Sequence, residues 1–111
     1  MTDRELLELA AKAAGINRRY YESWGECGLI NDDPDGGFWN PLVDDAQALR
    51  LAAKLHIDLE WQATGPFPTD CVEAYQRNDT GTYFCASEPE SDYRRAIVTV
   101  AAEIGRQPCQ N

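Results

Sequence analysis

Histidine and basic residues are scarce in this chain of 111 residues. It has one histidine, and 10 lysines and arginines stand against 19 aspartates and glutamates, which gives a net charge of −9. Because a chain with so few basic residues can neutralise few phosphates, we expect no direct nucleic-acid binding. The chain also lacks an apolar run near the roughly 18 residues of a membrane span, and it begins without the pattern of a secretion signal. These absences predict a cytoplasmic protein.

Motifs for catalysis, metals and cofactors are missing as well. No Gly-x-Ser-x-Gly elbow, phosphate-binding glycine loop or Walker lysine occurs, and we expect a structural or merely exposed His56. The cysteines form no C-x-x-C pair, and no histidine stands at zinc-ligand spacing. We therefore expect reduced thiols. Whether Cys71 and Cys85 lie close enough to form a disulfide is left open. The sequence predicts no enzyme, no metal and no cofactor. The four cysteines are Cys27, Cys71, Cys85 and Cys109.

Hydrophobic periodicity predicts three helices. Thr2 and Glu5 have capping-box spacing, and Gly15 is placed to end the first helix. Asp44 and Gln47 repeat that spacing before the second helix. The third helix is predicted to open at residues 87–90 and to stop at Gly105. The predicted buried positions are Leu6, Leu7, Leu9, Ala10, Ala13 and Ala14, then Ala48, Leu49, Leu51, Ala52 and Leu55, then Tyr93, Ala96, Ile97, Val100, Ala101 and Ile104.

The period changes from 3.6 to 2 after the second helix. Ile57, Leu59 and Trp61 alternate with polar residues, which predicts a strand with one face in the core. Further strands are expected at residues 28–30, 72–77 and 82–86. Three amphipathic helices need an apolar partner. The expected fold is therefore a single α+β domain over residues 1–105, with a three- or four-stranded, mainly antiparallel sheet packed between helices, and a frayed tail over 106–111.

The negative charge is concentrated in the middle of the chain. Residues 32–92 hold thirteen acidic and three basic residues, a net charge of −10. Acids beside aromatic side chains are typical of protein interfaces, so this region is the candidate partner-binding site. There are three alternatives to a binding site. The acids could simply be solvated, Trp39 could lie in the core, and Asp58 and Glu60 could act in acid–base catalysis. The candidate residues are Asp32, Asp33, Asp35, Phe38, Trp39, Asp58 and Glu60.

Two other ligand classes have partial signals. Asn31, Asp33 and Asp35 match the first half of a calcium loop, but Leu42 stands where the bidentate glutamate belongs, so a plain turn is favoured. Guanidinium groups beside aromatic rings can hold a nucleotide, although the same aromatics could close the first helix onto the core. The residues of this small-ligand alternative are Arg18, Arg19, Tyr20, Tyr21 and Trp24.

Three blocks of sequence together resemble one family. These are residues 2–15, residues 39–45 with the Trp-Asn-Pro-Leu motif leading into 48–52, and residues 94–98 with 101–106. They look like the phage ABA-sandwich domain family of small phage and prophage proteins, over about half the chain. The resemblance implies phage or prophage origin, a sheet packed between helices, and a place in the cytoplasm of a bacterial host. It implies no activity and no catalytic residues.

The leading hypothesis is a non-enzymatic phage accessory protein. It would act by stoichiometric binding of a host protein, such as a basic nucleic-acid-binding defence complex, as an anti-CRISPR or another anti-defence inhibitor does. The alternative is a protein that sequesters a small nucleotide signal. Acidity, missing catalytic motifs and the phage resemblance motivate the first hypothesis. The sequence leaves the oligomeric state open.

Overall fold

The computed structural model describes residues 2–15, 20–23, 26–30, 38–63, 70–77 and 83–107. Within these ranges the predicted α+β fold with three helices is confirmed. The strands form two antiparallel three-stranded sheets, β1-β2-β3 and β4-β5-β6, so the structure adds a second sheet. The elements are α1 (Asp3–Ala13), β1 (Tyr20–Ser23), β2 (Glu26–Ile30), β3 (Phe38–Trp39), α2 (Asp45–Leu55), β4 (Asp58–Ala63), β5 (Asp70–Arg77), β6 (Tyr83–Pro89), a 3-10 turn (Glu90–Asp92) and α3 (Tyr93–Arg106).

The ends of α1 are set by local side-chain chemistry. The Thr2 hydroxyl accepts a hydrogen bond from the Glu5 amide at 3.1 Å and donates to the Glu5 carboxylate at 3.2 Å. Thr2 thus satisfies one of the free amides of the first turn. Gly15 follows the helix with a φ of +73°, a left-handed conformation that suits glycine. Both predicted ends are confirmed.

The buried face of α1 is shifted at one edge from the predicted one. Leu9 and Ala13 are partly exposed, and Ala11 is buried in addition to the predicted positions. The predicted positions that are buried are Leu6, Leu7, Ala10 and Ala14. At this edge of α1, Gly105 of α3 approaches the backbone of Leu9 and Ala13 so closely that no side chain fits between the helices. The interface there is made by backbone. The side chains that fill the core come from the neighbouring face.

The start of α3 also differs from the prediction. Residues 87–89 belong to β6, because Ser87 and Pro89 continue the pairing with Glu73 and Cys71 of β5. Sheet pairing therefore prevails over the local helix-start signal. Pro89 is tolerated because it closes an edge strand, where a missing amide breaks no ladder. Gly105 does not stop the helix. It lies inside α3, which runs on to Arg106 in the predicted tail.

The entry to α2 is organised by the Trp-Asn-Pro-Leu segment. The Asp44 carboxylate accepts from the Gln47 amide at 2.9 Å, so the predicted cap is confirmed. The Gln47 side chain does not reach back to Asp44, whose amide instead donates to the Asn40 carbonyl at 3.1 Å. Gln47 Oε1 accepts from the Asn40 amide at 2.5 Å. The Asn40 side chain accepts from the Leu42 amide at 3.1 Å and closes the turn.

Beyond its cap, α2 has one mispredicted position. Leu49 is 67% exposed rather than buried, since it lies about 100° around the helix from Ala48. The buried side chains are Ala48, Leu51 and Ala52. His56 ends the helix in the left-handed region, with φ 57° and ψ 47°, and its amide donates to the Ala52 carbonyl. Its imidazole is exposed.

The core is centred on α3, which packs against α1, α2, β5 and β6. Val98 and Val100 are fully buried on it, although they lie 200° apart around the helix. A helix buried on several sides must be covered by several elements, and here α1 and the β4-β5-β6 sheet cover it. On its far side α1 contacts β2. No helix within the described ranges is long and apolar enough to cross a membrane.

Candidate functional site

The best-described part of the predicted partner-binding region is one face of the β4-β5-β6 sheet. Side chains alternate along each strand, and directly paired residues share a face. Val72 and Ala74 are buried toward α3, so the opposite face of the sheet, called here the outer face, points away from that helix. Its register positions are Asp58, Glu60 and Gln62 on β4, Cys71, Glu73, Tyr75 and Arg77 on β5, and Tyr83, Cys85, Ser87 and Pro89 on β6.

Acidic side chains accumulate on one side of the outer face. Asp58 and Glu60 are both exposed and are two residues apart on β4, about 7 Å along the strand. In the register Glu60 pairs with Glu73, which places their β-carbons about 4.5–5.5 Å apart. Like charges directly opposite each other destabilise a sheet. Glu73 has an interaction partner of its own, so the negative charge that this face presents to solvent comes chiefly from Asp58 and Glu60.

The two aromatic candidates belong to β3. Trp39 is 8% exposed and packs in the core, as its alternative interpretation allowed, so its ring is not available as an exposed anchor. Pro41, two residues on, is also fully buried, so this segment contributes two side chains to the interior. Phe38 pairs with Ile30 of β2.

Several predicted site residues lie outside the described residues. The loop acids Asp32, Asp33 and Asp35 are among them, and so is the calcium half-loop. The small-ligand alternative falls partly there, with Arg18, Arg19 and Trp24. Tyr20 and Tyr21 lie in β1, where they pair with Leu29 and Gly28. Within the described ranges, no group of three or more histidine, cysteine or acidic residues could hold a metal ion.

A polar cluster that sequence analysis missed joins the starts of α2 and α3. The Tyr93 hydroxyl donates a short hydrogen bond to Asp45 Oδ1, and Arg94 Nη1 lies 2.5 Å from the same oxygen. Arg94 also donates to the Leu42 carbonyl at 3.2 Å and to the Tyr93 hydroxyl at 3.0 Å. One carboxylate oxygen thus fastens two helices that are 48 residues apart in sequence. No local pattern could have revealed that pairing.

Electrostatics within this cluster reinforce the arrangement. The hydrogen bond from Tyr93, followed by that from Arg94, lowers the pKa of Asp45 below its usual value. The same bond raises the pKa of Tyr93, because losing the phenol proton would set two negative charges side by side. Hydrogen bonding to Asp45 raises the pKa of Arg94. The shifts favour an ionised Asp45, a cationic Arg94 and a protonated, neutral Tyr93, which is the combination that these hydrogen bonds need.

Trp61 extends the cluster toward the sheet. Its ring centroid lies 6.1 Å from that of Tyr93, with the planes tilted by 57°. On the same tyrosine ring, the Arg94 guanidinium carbon lies 4.9 Å from the centroid. Such contacts hold aromatic rings in place. Trp61 is nevertheless 56% exposed. The structure therefore presents an ordered tryptophan at the surface, where the sequence placed it in the core.

The register also settles the open question about the cysteines. Cys71 pairs with Pro89, whereas Cys85 pairs with Tyr75, four residues further along β5. That offset separates the two thiols by about 13 Å along the strands, whereas a disulfide needs α-carbons within about 7 Å. Both thiols are free.

Comparison of the chain with protein-family models, with characterised proteins and with solved structures finds no match. The resemblance to phage ABA-sandwich proteins accordingly stays a prediction.

Proposed function

We propose that this protein works by stoichiometric binding, without catalysis, to a basic surface of a partner protein. The observation that carries the proposal is the exposed pair Asp58 and Glu60 on the outer face, beside Glu73 in register. Three acidic residues and one basic residue occupy outer-face positions, so the net charge of this face is negative. The basic residue is Arg77, which pairs with Tyr83 at the end of β5. Such a surface attracts a cationic partner and speeds its association.

The biological setting of this proposal comes from the phage resemblance. In an infected or lysogenic bacterium, a protein that presents concentrated negative charge can occupy a surface that otherwise binds nucleic acid. A host defence complex with such a surface is the proposed partner class. Binding there would exclude nucleic acid by competition, and it would need neither an active site nor a cofactor.

The test is affinity capture from infected host lysate at low and at high salt, with three versions of the protein. We expect a stoichiometric host protein to be captured by the wild type at low salt and lost at high salt, because screening weakens exposed charge pairs. The double variant Asp58→Lys, Glu60→Lys should capture it weakly at either salt concentration. The control Glu8→Lys, Glu103→Lys changes charge equally on α1 and α3, outside residues 32–92, and should behave as the wild type.

The outcomes separate the proposal from its alternative. Equal capture by all versions would contradict an acidic binding face. If the protein instead captures nothing and a panel of nucleotides raises its melting temperature, the small-ligand alternative gains support, since a ligand at 100 times its Kd adds about 2.7 kcal/mol to stability. Reversing Asp32, Asp33 and Asp35 together tests whether the loop acids contribute to the same surface.

A further inference from the structure

β4 is an edge strand with regular geometry. It pairs with β5 over six consecutive residues, from Asp58 with Tyr75 to Ala63 with Asp70, and the register contains no bulge. No described strand pairs with its other side. Alternate amide and carbonyl groups of an edge strand point away from the sheet and can pair with an added strand.

The inner face of β4 extends beyond the helix that covers the rest of the sheet. Close packing of α3 is on β5 and β6. Val72 is therefore fully buried, whereas Trp61, paired with it on β4, is 56% exposed. Leu59 is only partly buried. An indole that large, held in place against Tyr93, is the side chain that most often anchors a protein partner.

β4 has charged side chains but lacks proline, lysine and a bulge among the usual protections of an edge strand. Edges are commonly blunted by charged residues, lysine above all, by proline or by a bulge. Residues 58–63 contain no proline and no lysine. The charges that β4 does present, Asp58 and Glu60, both lie on the outer face, which leaves Leu59 and Trp61 on the other. The strand therefore offers an acidic side and an apolar side to whatever pairs with it.

We propose that β4 accepts an extended segment of the partner protein in which basic and apolar side chains alternate, and that this segment adds to the sheet as a further strand. Its basic side chains would lie over Asp58 and Glu60, and its apolar side chains over Leu59 and Trp61. Backbone hydrogen bonds would contribute affinity, and the alternation would provide specificity. This inference rests on the proposed function and adds how the partner is bound. A second copy of the chain suits the site less well, because its net charge is −9.

The experiment uses the full chain and two synthetic peptides of equal length and composition. In one peptide lysine and valine alternate; in the other they form two blocks. We expect the alternating peptide to bind about tenfold more tightly than the block peptide, because only the alternating one matches both faces of β4. Amide exchange followed by NMR should show slower exchange at every second residue of 58–63, at the amides directed away from β5.

Two variants locate the site. Trp61→Ala should remove most of the preference for the alternating peptide, whereas Leu49→Ala, which truncates an exposed leucine on α2, should leave it unchanged. Should Trp61→Ala disturb the fold, the nearly isosteric double variant Asp58→Asn, Glu60→Gln provides a second test. It should weaken binding of both peptides and abolish the salt dependence.

Equal affinity for the two peptides, or binding without protection of β4 amides, would overturn strand addition and leave the acidic-surface proposal standing. Binding of neither peptide would overturn strand addition as well, while the lysate capture judges the proposed function separately. Concentration-dependent dimerisation that protects β4 would overturn the partner strand in favour of a second copy.

Discussion

Gly105 of α3 lies directly against the backbone carbonyl of Leu9 in α1. A β-carbon added at Gly105 would stand 2.0 Å from the Leu9 oxygen and 2.8 Å from its carbonyl carbon. Because these are backbone atoms of a neighbouring helix, no side-chain rotation can make room. The closest approach of the two helices therefore depends on the absence of a side chain at this position.

Gly105→Ala should lower the free energy of unfolding. Helix propensity alone would stabilise α3 by about 1 kcal/mol, but overpacking against a fixed backbone costs about 1–3 kcal/mol or more. Urea denaturation gives the net effect. Ala53→Gly, at an exposed position of α2, measures the propensity difference in this protein. A gain in stability for Gly105→Ala would show that the helices separate without cost.

His56→Gly should raise the free energy of unfolding by about 0.5–1 kcal/mol. His56 holds a left-handed conformation, which costs a residue with a β-carbon about 1–2 kcal/mol, and the greater entropy of glycine in the unfolded chain returns part of the gain. Thermal melts of the wild type, His56→Gly and His56→Ala test this. The alanine variant keeps the β-carbon and should gain nothing. A destabilised glycine variant would mean that the imidazole contributes to the fold.

The hydrogen bond between Tyr93 and Asp45 makes a reciprocal prediction about pH. The pKa of Asp45 is lowered in the folded state, so its contribution to stability is present above the pKa of the unfolded chain. That contribution is lost as the pH falls through the pKa of the folded state. The pKa of Tyr93 is raised in the folded state, so its contribution to stability is present below the pKa of the unfolded chain. That contribution is lost as the pH rises through the pKa of the folded state. Tyr93→Phe should therefore raise the pKa of Asp45, and Asp45→Asn should lower that of Tyr93.

The pKa of Asp45 is measured by NMR titration of its carboxyl carbon. The pKa of Tyr93 is measured by ultraviolet titration of the tyrosines. Glu8→Gln, which removes an ion pair with Arg4 within α1, is the control and should move neither group. An Asp45 titration that is unchanged in Tyr93→Phe would contradict the hydrogen bond.

Cys71 and Cys85 should not form an intramolecular disulfide under mild oxidation. In a variant with Cys27→Ser and Cys109→Ser, mass spectrometry after treatment with oxidised glutathione should show mixed disulfides and no loss of two hydrogens from the monomer. The four-residue offset in register is the reason. A high yield of the internal bridge would mean that β5 and β6 pair in a different register.

The parts of this fold that sequence predicted are those with short-range causes. Thr2 and Asp44 cap helices because their side chains reach an amide three residues away, and that spacing is visible in the chain. The alternation from Ile57 onward reported a strand for the same kind of reason. Where a distant segment decides, local patterns mislead. Gly105 resembles a helix stop until the backbone of Leu9 is seen beside it.

The candidate site divides in the same way. Asp58 and Glu60 were predicted on a solvent-facing side of a strand, and the structure places them there. The exposure of Trp61 could not be predicted, because it depends on α3 packing over β5 and β6 rather than over β4. Hydrophobic alternation reports which face of a strand points inward, not whether a helix lies above it. The contact between Asp45 and Tyr93 likewise depends on how α2 and α3 meet.

The pairing of α1 with α3 has a consequence for how the protein is made. Ala13 and Arg106, the last residues of the two helices, are 93 positions apart. A ribosome that adds about 5–20 residues per second needs roughly 5–19 s to cover that distance. During this interval Leu7 and Ala10 lack their main covering surface, whereas β4, β5, β6 and α3 emerge consecutively. The nascent chain thus carries an apolar helix that chaperones can bind until α3 leaves the exit tunnel.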